Sequence, residues 1–236
     1  MKISIDWLYQ RLYNEFGGLN WWPMDKRYHE TNNSDPRFEV IIGAILTQNT
    51  AWSNVEKALE NLKHKNMLNI DKIANIDLNT LQEMIKPSGF FNQKAQRLKN
   101  IAKHIRENYN GDLNLFFSRD IYKIRDELLS LNGVGPETAD SILLYAGNMP
   151  IFVVDAYTKR ICERVPLDTG LTYNEIQHFF QKELLKKYPQ KETTKIYNEL
   201  HALIVNLAKK YCKKKPECDN CPLNDYCIYK KMELLQ

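Results

Sequence analysis

The chain of 236 residues has no long hydrophobic run. No stretch approaches the ~20 consecutive apolar residues of a membrane-spanning helix, and the N-terminal MKISIDWLYQRLYNEF lacks the uninterrupted apolar core of a secretion signal. A soluble, cytoplasmic protein with no membrane association is expected. No internal repeat and no low-complexity segment is present. Charge of one sign is also lacking: 33 Lys and Arg face 29 Asp and Glu, for a net +4 and a pI near 8.6. That balance permits nucleic-acid binding without requiring it, although Lys209, Lys210, Lys213, Lys214 and Lys215 crowd one short segment. Cysteine is scarce outside one place. Four of the five lie between 212 and 227, so they form a local cluster and not a framework of staples across the chain. A chain of this length needs no staple, since it buries roughly 70–75% of its unfolded surface on folding.

What the sequence has in quantity is helical periodicity. Residues 3–16 place Ile5, Leu8, Leu12 and Phe16 on one face and stop at Gly17-Gly18. An irregular segment from Leu19 to Asp35 carries Trp21-Trp22-Pro23. Asp35-Pro36 then reads as an N-cap with proline at the first helical position, ahead of a helix burying Phe38, Ile41, Ile42, Ile45 and Leu46. Further amphipathic helices are predicted over 51–64, 78–86, 93–108, 119–131, 136–147, 156–165, 173–187 and 191–210. Only Ile151 to Val154 is strand-like, and it has no evident partner, so it reads as a buried connector. The fold class is all-α.

The stretch from Leu131 to Asp155, LNGVGPETADSILLYAGNMPIFVVD, is the centre of this plan. Two glycines one residue apart free the backbone for a tight corner, and the helix that follows leaves N–H groups without intrahelical partners. Such a corner can hold a phosphate without reading a base, or it can be an ordinary helix-turn-helix connection. Cys212, Cys218, Cys221 and Cys227 are spaced C-x5-C-x2-C-x5-C. That spacing is compatible with an iron–sulfur cluster, with tetrahedral zinc or with disulfides. Cys162, on an apolar helix, reads as a buried structural thiol.

Several separated stretches together resemble the helix-hairpin-helix DNA glycosylases of the endonuclease III type. They are Ile42 to Thr50 (IGAILTQNT), Ser88 to Ala95 (SGFFNQKA), Leu131 to Ala139 (LNGVGPETA), Val153-Val154-Asp155 and the four late cysteines. The first cysteine gap holds five residues where the family usually has six. The resemblance implies two helical lobes: a six-helix barrel over 32–147 carrying the hairpin, and a cluster lobe made of 1–31 plus 148–236, with the active site in the cleft where they meet. It implies a [4Fe–4S] cluster on Cys212, Cys218, Cys221 and Cys227, and phosphate contacts from Gly133, Val134, Gly135 and Thr138. It also implies a catalytic Asp155, which could equally serve as the N-cap of the helix beginning at Ala156. The expected partner is duplex DNA holding a damaged base, met by a monomeric, nucleoid-associated enzyme.

Within that family, bifunctional members carry a nucleophilic lysine where this chain has Glu137, and a carboxylate cannot form a Schiff base. The resemblance therefore implies a monofunctional enzyme using water. Trp21, Trp22 and Trp52 resemble the aromatic base pocket of the 3-methyladenine branch. Cation–π contact with an alkylated, cationic adenine is worth roughly 0.5–2 kcal/mol, although tryptophans in helical proteins also serve as core. Gln48 and Phe90 match the residues that fill the gap left by an extruded nucleotide, with Phe90 alternatively packing beside Phe91. Rival readings are an endonuclease III-like glycosylase for oxidised pyrimidines or mismatched thymine and uracil, and a non-catalytic iron–sulfur DNA-binding protein.

Overall fold

The computed structural model describes residues 2–233, and among these every regular element is helical. In chain order they are α1 (Ile5–Phe16), α2 (Lys26–Asn32), α3 (Pro36–Leu46), α4 (Trp52–His64), α5 (Ile70–Asn75), α6 (Leu78–Ile85) and α7 (Phe91–Tyr109). These are followed by α8 (Leu113–Phe117), α9 (Ile121–Ser130), α10 (Pro136–Ser141), α11 (Ala156–Arg164), α12 (Tyr173–Leu185), α13 (Gln190–Lys210) and α14 (Ile228–Glu233). The chain divides into two compact units. One takes the residues up to Trp21 together with those from Pro150 onward; the other is the continuous stretch Trp22–Met149.

In the continuous unit, α5 and α6 pack on α7, and α3 packs on α4 and α7. Their shared interior is aliphatic: Val40, Ile41, Ile45, Val55, Leu62, Leu98, Ile101 and Ile105 are buried. Asp35 caps α3 by accepting from the Arg37 N–H, with Pro36 at the first turn. Behind it, the buried Glu39 carboxylate accepts from Lys63 Nζ at 2.9 Å and meets His29 Nε2 at 2.9 Å. Burial alone would raise the Glu39 carboxyl, but His29, Lys63 and the Asp25 N–H outweigh it and hold it below its usual range. The helix predicted over 136–147 is regular only to Ser141. From Ile142 to Ala146 it widens by one residue per turn, with the Gly147 N–H donating to Ile142 O.

In the other unit, α1, α11 and α12 pack on α13, whose apolar face buries Ile196, Leu200, Leu203, Ile204 and Leu207. Thr172 and Glu175 form a reciprocal capping box at the start of α12. The connector Ile151–Val154 is fully buried and pairs with no strand. Two glutamines of α12 satisfy its backbone instead. Gln181 Oε1 accepts from the Phe152 N–H at 2.9 Å, and Gln177 Nε2 donates to Phe152 O at 2.7 Å.

Helices α2, α5, α8 and α14 were not expected from the sequence. Each is only one or two turns long, too short for a 3.6-residue period to show. Their caps carry the signal that periodicity misses: Asp25, Asn69 and Asp112 each accept a backbone N–H at the first turn of α2, α5 and α8.

Gly43 on α3 lies against the Trp22 ring, and a Cβ placed there would stand 2.8 Å from Cζ2. Gly43→Ala is expected to destabilise the protein by about 1–3 kcal/mol through overpacking, read as a lower urea midpoint at unchanged slope. An unchanged midpoint would show that the Trp22 ring is free to retreat.

Candidate active site and cysteine cluster

The hairpin joins α9 to α10 through Leu131–Gly135. Gly133 is glycine for two reasons. Its φ is +82°, and a Cβ would fall on the Arg97 guanidinium group, 2.0 Å from Nε. Val134 turns inward, and its N–H donates to Leu131 O at 3.1 Å. Gly135 caps α10, with Pro136 at the first helical position; both are exposed, as is Glu137. A partly buried ion pair holds the two hairpin helices together, with Arg125 Nε 2.6 Å from Asp140 Oδ1 and Nη2 3.1 Å from Oδ2. Gln48 is tied to this hairpin. Its Nε2 donates to Gly133 O at 3.0 Å and to Thr138 Oγ1 at 2.9 Å, while Arg97 donates to its Oε1.

Phe90 is 62% exposed and sits in the left-handed region at φ +46°, which turns its ring outward while Phe91 begins α7. It is a surface residue and not core. Beneath it is Lys94, 1% exposed, whose Nζ donates to Leu46 O and Ser88 O at 2.7 Å each. These carbonyls end the segments that precede Gln48 and Phe90, so one buried amine anchors both. Burial pulls that amine down to about 8.

Trp22 and Trp52 are brought together edge to face, with centroids 5.3 Å apart and planes at 83°. Tyr145, which belongs to none of the motifs above, lies 5.3 Å from Trp22 on the widened turn after α10. The Trp22–Trp52 pair thus presents no parallel slot of its own. The division between the units falls between Trp21 and Trp22.

Asp155 is 8% exposed and caps α11. Its Oδ1 accepts from Thr158 N at 2.7 Å and from Thr158 Oγ1 at 2.9 Å; its Oδ2 lies 3.6 Å from Nε2 of the buried His201 on α13. Burial would raise this carboxyl, but His201 and the Thr158 donors outweigh burial and hold it below the usual carboxylate range. The result is a desolvated, oriented, ionised carboxylate. His201 was not anticipated, although a polar residue beside Leu200, Leu203 and Ile204 is a signal the helical pattern contains.

Cys212, Cys218, Cys221 and Cys227 line one small hollow after the end of α13. Burial, with the other three thiols adding to it, pushes Cys221 up to about 11. Such mutual repulsion is relieved when thiolates bind a positively charged iron core, and the donor set suits one. The loop is braced from α1, where Arg11 Nε donates to Pro222 O at 2.9 Å and Trp7 packs on Tyr226. Cys162 is buried, and burial pushes its thiol up to about 12, as befits an inert structural cysteine.

Residues 42–186 match the HhH-GPD superfamily of base excision DNA repair proteins. The chain belongs to that superfamily. Residues 213–227 also match the iron–sulfur binding domain of endonuclease III. A protein of Methanocaldococcus jannaschii, named only provisionally as a DNA repair glycosylase, is 48% identical over 94% of this chain and 95% of its own. Endonuclease III of Sulfolobus acidocaldarius is 31% identical over 81% of this chain and 82% of its own. Among solved structures, the 3-methyladenine DNA glycosylase of H. pylori bound to 1,N6-ethenoadenine superposes with a TM-score of 0.70 at 29% identity, covering 88% of this chain and 98% of that one. The protein is thus a base-excision-repair DNA N-glycosylase of the endonuclease III-like fold, with a [4Fe–4S] cluster as cofactor. This removes the non-catalytic rival.

Replacing any one of Cys212, Cys218, Cys221 or Cys227 by serine is expected to cut the iron content and visible absorbance of the purified protein severely. Full retention of iron in one of these variants would remove that cysteine from the ligand set.

Proposed function

We propose that this glycosylase is monofunctional and removes alkylated purines, 3-methyladenine among them, from duplex DNA by hydrolysis. The observation that carries the hydrolytic reading is Glu137, an exposed carboxylate in the first turn of α10 where a lyase needs an amine. Lys94 does not replace it. Its lowered amine would suit Schiff-base chemistry, but it is enclosed and donates to two carbonyls of its own unit.

In the proposed reaction the duplex is gripped through its phosphates by Gly133, Val134, Gly135 and Thr138. Gly135 is open to solvent, whereas the Val134 N–H and the Thr138 hydroxyl already have internal partners, so Gly133 and Gly135 carry most of this contact. The exposed lysines Lys209, Lys210, Lys213, Lys214 and Lys215 add long-range attraction. Phe90 leads the intrusion into the base stack, because its outward ring needs no rearrangement. Gln48 follows only by giving up its hydrogen bonds to the hairpin, at about 1 kcal/mol each. The flipped base meets the aromatic rings of Trp22 and Trp52. An N3-alkylated adenine is cationic and already a good leaving group, so it needs π-faces more than a general acid.

Asp155 is the catalytic residue. As the N-glycosidic bond breaks, the base leaves with the bonding electrons, and positive charge develops at C1′ opposite a carboxylate that burial makes effective and Thr158 keeps in place. The cationic base leaves neutral, water adds to C1′ through its oxygen and its proton passes to solvent, and no electron enters or leaves. The cluster supplies a rigid fold for the 212–227 loop. The alkylpurine preference is supported by the likeness to the H. pylori enzyme, whose ligand is a modified adenine.

Methylated duplex DNA incubated with the protein is expected to release free 3-methyladenine. Asp155→Asn is expected to abolish that release while leaving DNA affinity within about threefold, and borohydride should trap no covalent adduct with an abasic duplex. Release of thymine glycol instead, or a strong trapped adduct, overturns the assignment in favour of an endonuclease III-like lyase. Separately, Phe90→Ala is expected to slow excision from duplex DNA about 10–100-fold, in line with a lost stacking contact of roughly 1–3 kcal/mol. It should leave excision from single strands nearly unchanged, and equal losses on both substrates would return Phe90 to a folding role.

A further inference from the structure

Arg164 is the last residue of α11, the helix that Asp155 begins, and it lies on the wall of the cysteine hollow. Its Nη1 is 3.3 Å from Cys212 Sγ, and its main-chain oxygen is 3.2 Å from Cys227 Sγ. One residue therefore touches two of the four thiols, one through its side chain and one through its backbone. The guanidinium group has further partners. Nη1 also donates to Lys213 O at 2.7 Å, Nη2 donates to Lys214 O at 3.3 Å, and Cζ stands 4.5 Å over the Tyr229 ring.

The surrounding charges set this residue apart from the neighbouring lysines. Lys213 lies 2.5 Å from Glu217, and Lys230 2.8 Å from Asp219, so each of those ammonium groups has a carboxylate beside it. The partners of Arg164 among the described residues are neutral carbonyls, an aromatic ring and sulfur. Among the described residues no carboxylate is paired with it, and Nη1 is directed at a thiol. A guanidinium group stays protonated at every pH a protein survives, and its planar fork suits several acceptors at once.

We propose that Arg164 is a positioning residue that tunes and retains the [4Fe–4S] cluster, by donating to Cys212 Sγ and by clamping the backbone at Lys213 and Lys214 against α11. This rests on the reading of the four cysteines as the ligands. A cationic donor to a ligating thiolate stabilises the more negative, reduced state of the cluster over the oxidised one, and so raises the reduction potential. The carbonyl bonds to Lys213 and Lys214 close the loop on the side of the first ligand and so slow loss of iron.

The test uses the purified holoprotein and two variants. Arg164→Leu removes the charge and every donor; Arg164→Lys keeps the charge but loses the fork. Protein-film voltammetry is expected to place the reduction potential of Arg164→Leu below that of the wild type, with Arg164→Lys between them. Release of iron to a chelator should be about tenfold faster for Arg164→Leu. A wild-type potential in Arg164→Leu overturns the proposal. If that variant is purified without iron, the comparison of Arg164→Lys with the wild type decides, and an unchanged potential there overturns it equally. Failure of the ligand reading is distinguishable, because Cys212→Ser would then keep its full iron whatever the Arg164 variants do.

Discussion

Asp155 keeps a negative charge out of water because Thr158 donates an N–H and a hydroxyl to one carboxylate oxygen and His201 faces the other. Without them, desolvation would favour the protonated acid, and the role proposed for Asp155 requires the charged form. The elements of its unit follow from this need. The carboxylate caps α11, so the helix fixes its direction. Helix α13 packs along α11 and delivers His201 from the side. The same α13 holds the strap before Trp21, where Glu199 accepts from the Leu19 N–H, and it ends at the first cysteine of the cluster loop. The glutamines of α12 secure the connector that leads into Asp155. A single long helix thus serves the carboxylate, the tryptophan-bearing strap and the iron-binding loop.

The continuous unit answers a different requirement, that of holding a hairpin and two neighbouring segments in fixed register. Arg125 and Asp140 lock the hairpin helices, Arg97 fills the space that Gly133 leaves, and Gln48 bridges to both. Lys94 secures the ends of α3 and of the turn before Phe90 through two carbonyls. These are polar anchors inside an aliphatic core, and each has its partners. Together they leave Phe90 as the one residue of that region whose ring points outward from a conformation rarely used by side chains of its size.

Much of this arrangement was legible in the residue pattern. The long helices, the Asp35-Pro36 start, the glycine corner, the cysteine spacing and the carboxylate after Val154 all announce themselves by period, cap or spacing. What could not be read depends on contacts between distant positions. His201 looks like a polar interruption until α11 is laid beside it. Lys94 looks like a surface lysine of α7 until two carbonyls enclose it. The edge-to-face meeting of Trp22 and Trp52 cannot be derived from their separation in the chain, and the widened turn at Ile142–Ala146 has the composition of an ordinary helix. The short helices α2, α5 and α8 fell below the length at which periodicity carries information, although their aspartate and asparagine caps were in view.

The interleaving of the two units sets an order on the making of the molecule. The unit that begins at Trp22 is a single uninterrupted stretch, and it can collapse as soon as Met149 has left the ribosome. Helix α1 is synthesised before the other described helices yet packs on α12 and α13 and supports the cysteine loop, so its packing must wait until those late elements exist. Asp155 likewise has no His201 until α13 exists. A nascent chain therefore carries a finished hairpin long before it carries a charged, oriented carboxylate. On the proposed assignment of hairpin and carboxylate, the capacity to grip DNA matures ahead of the capacity to cut a base from it, and the same late segment that completes the proposed chemistry also brings the four clustered thiols.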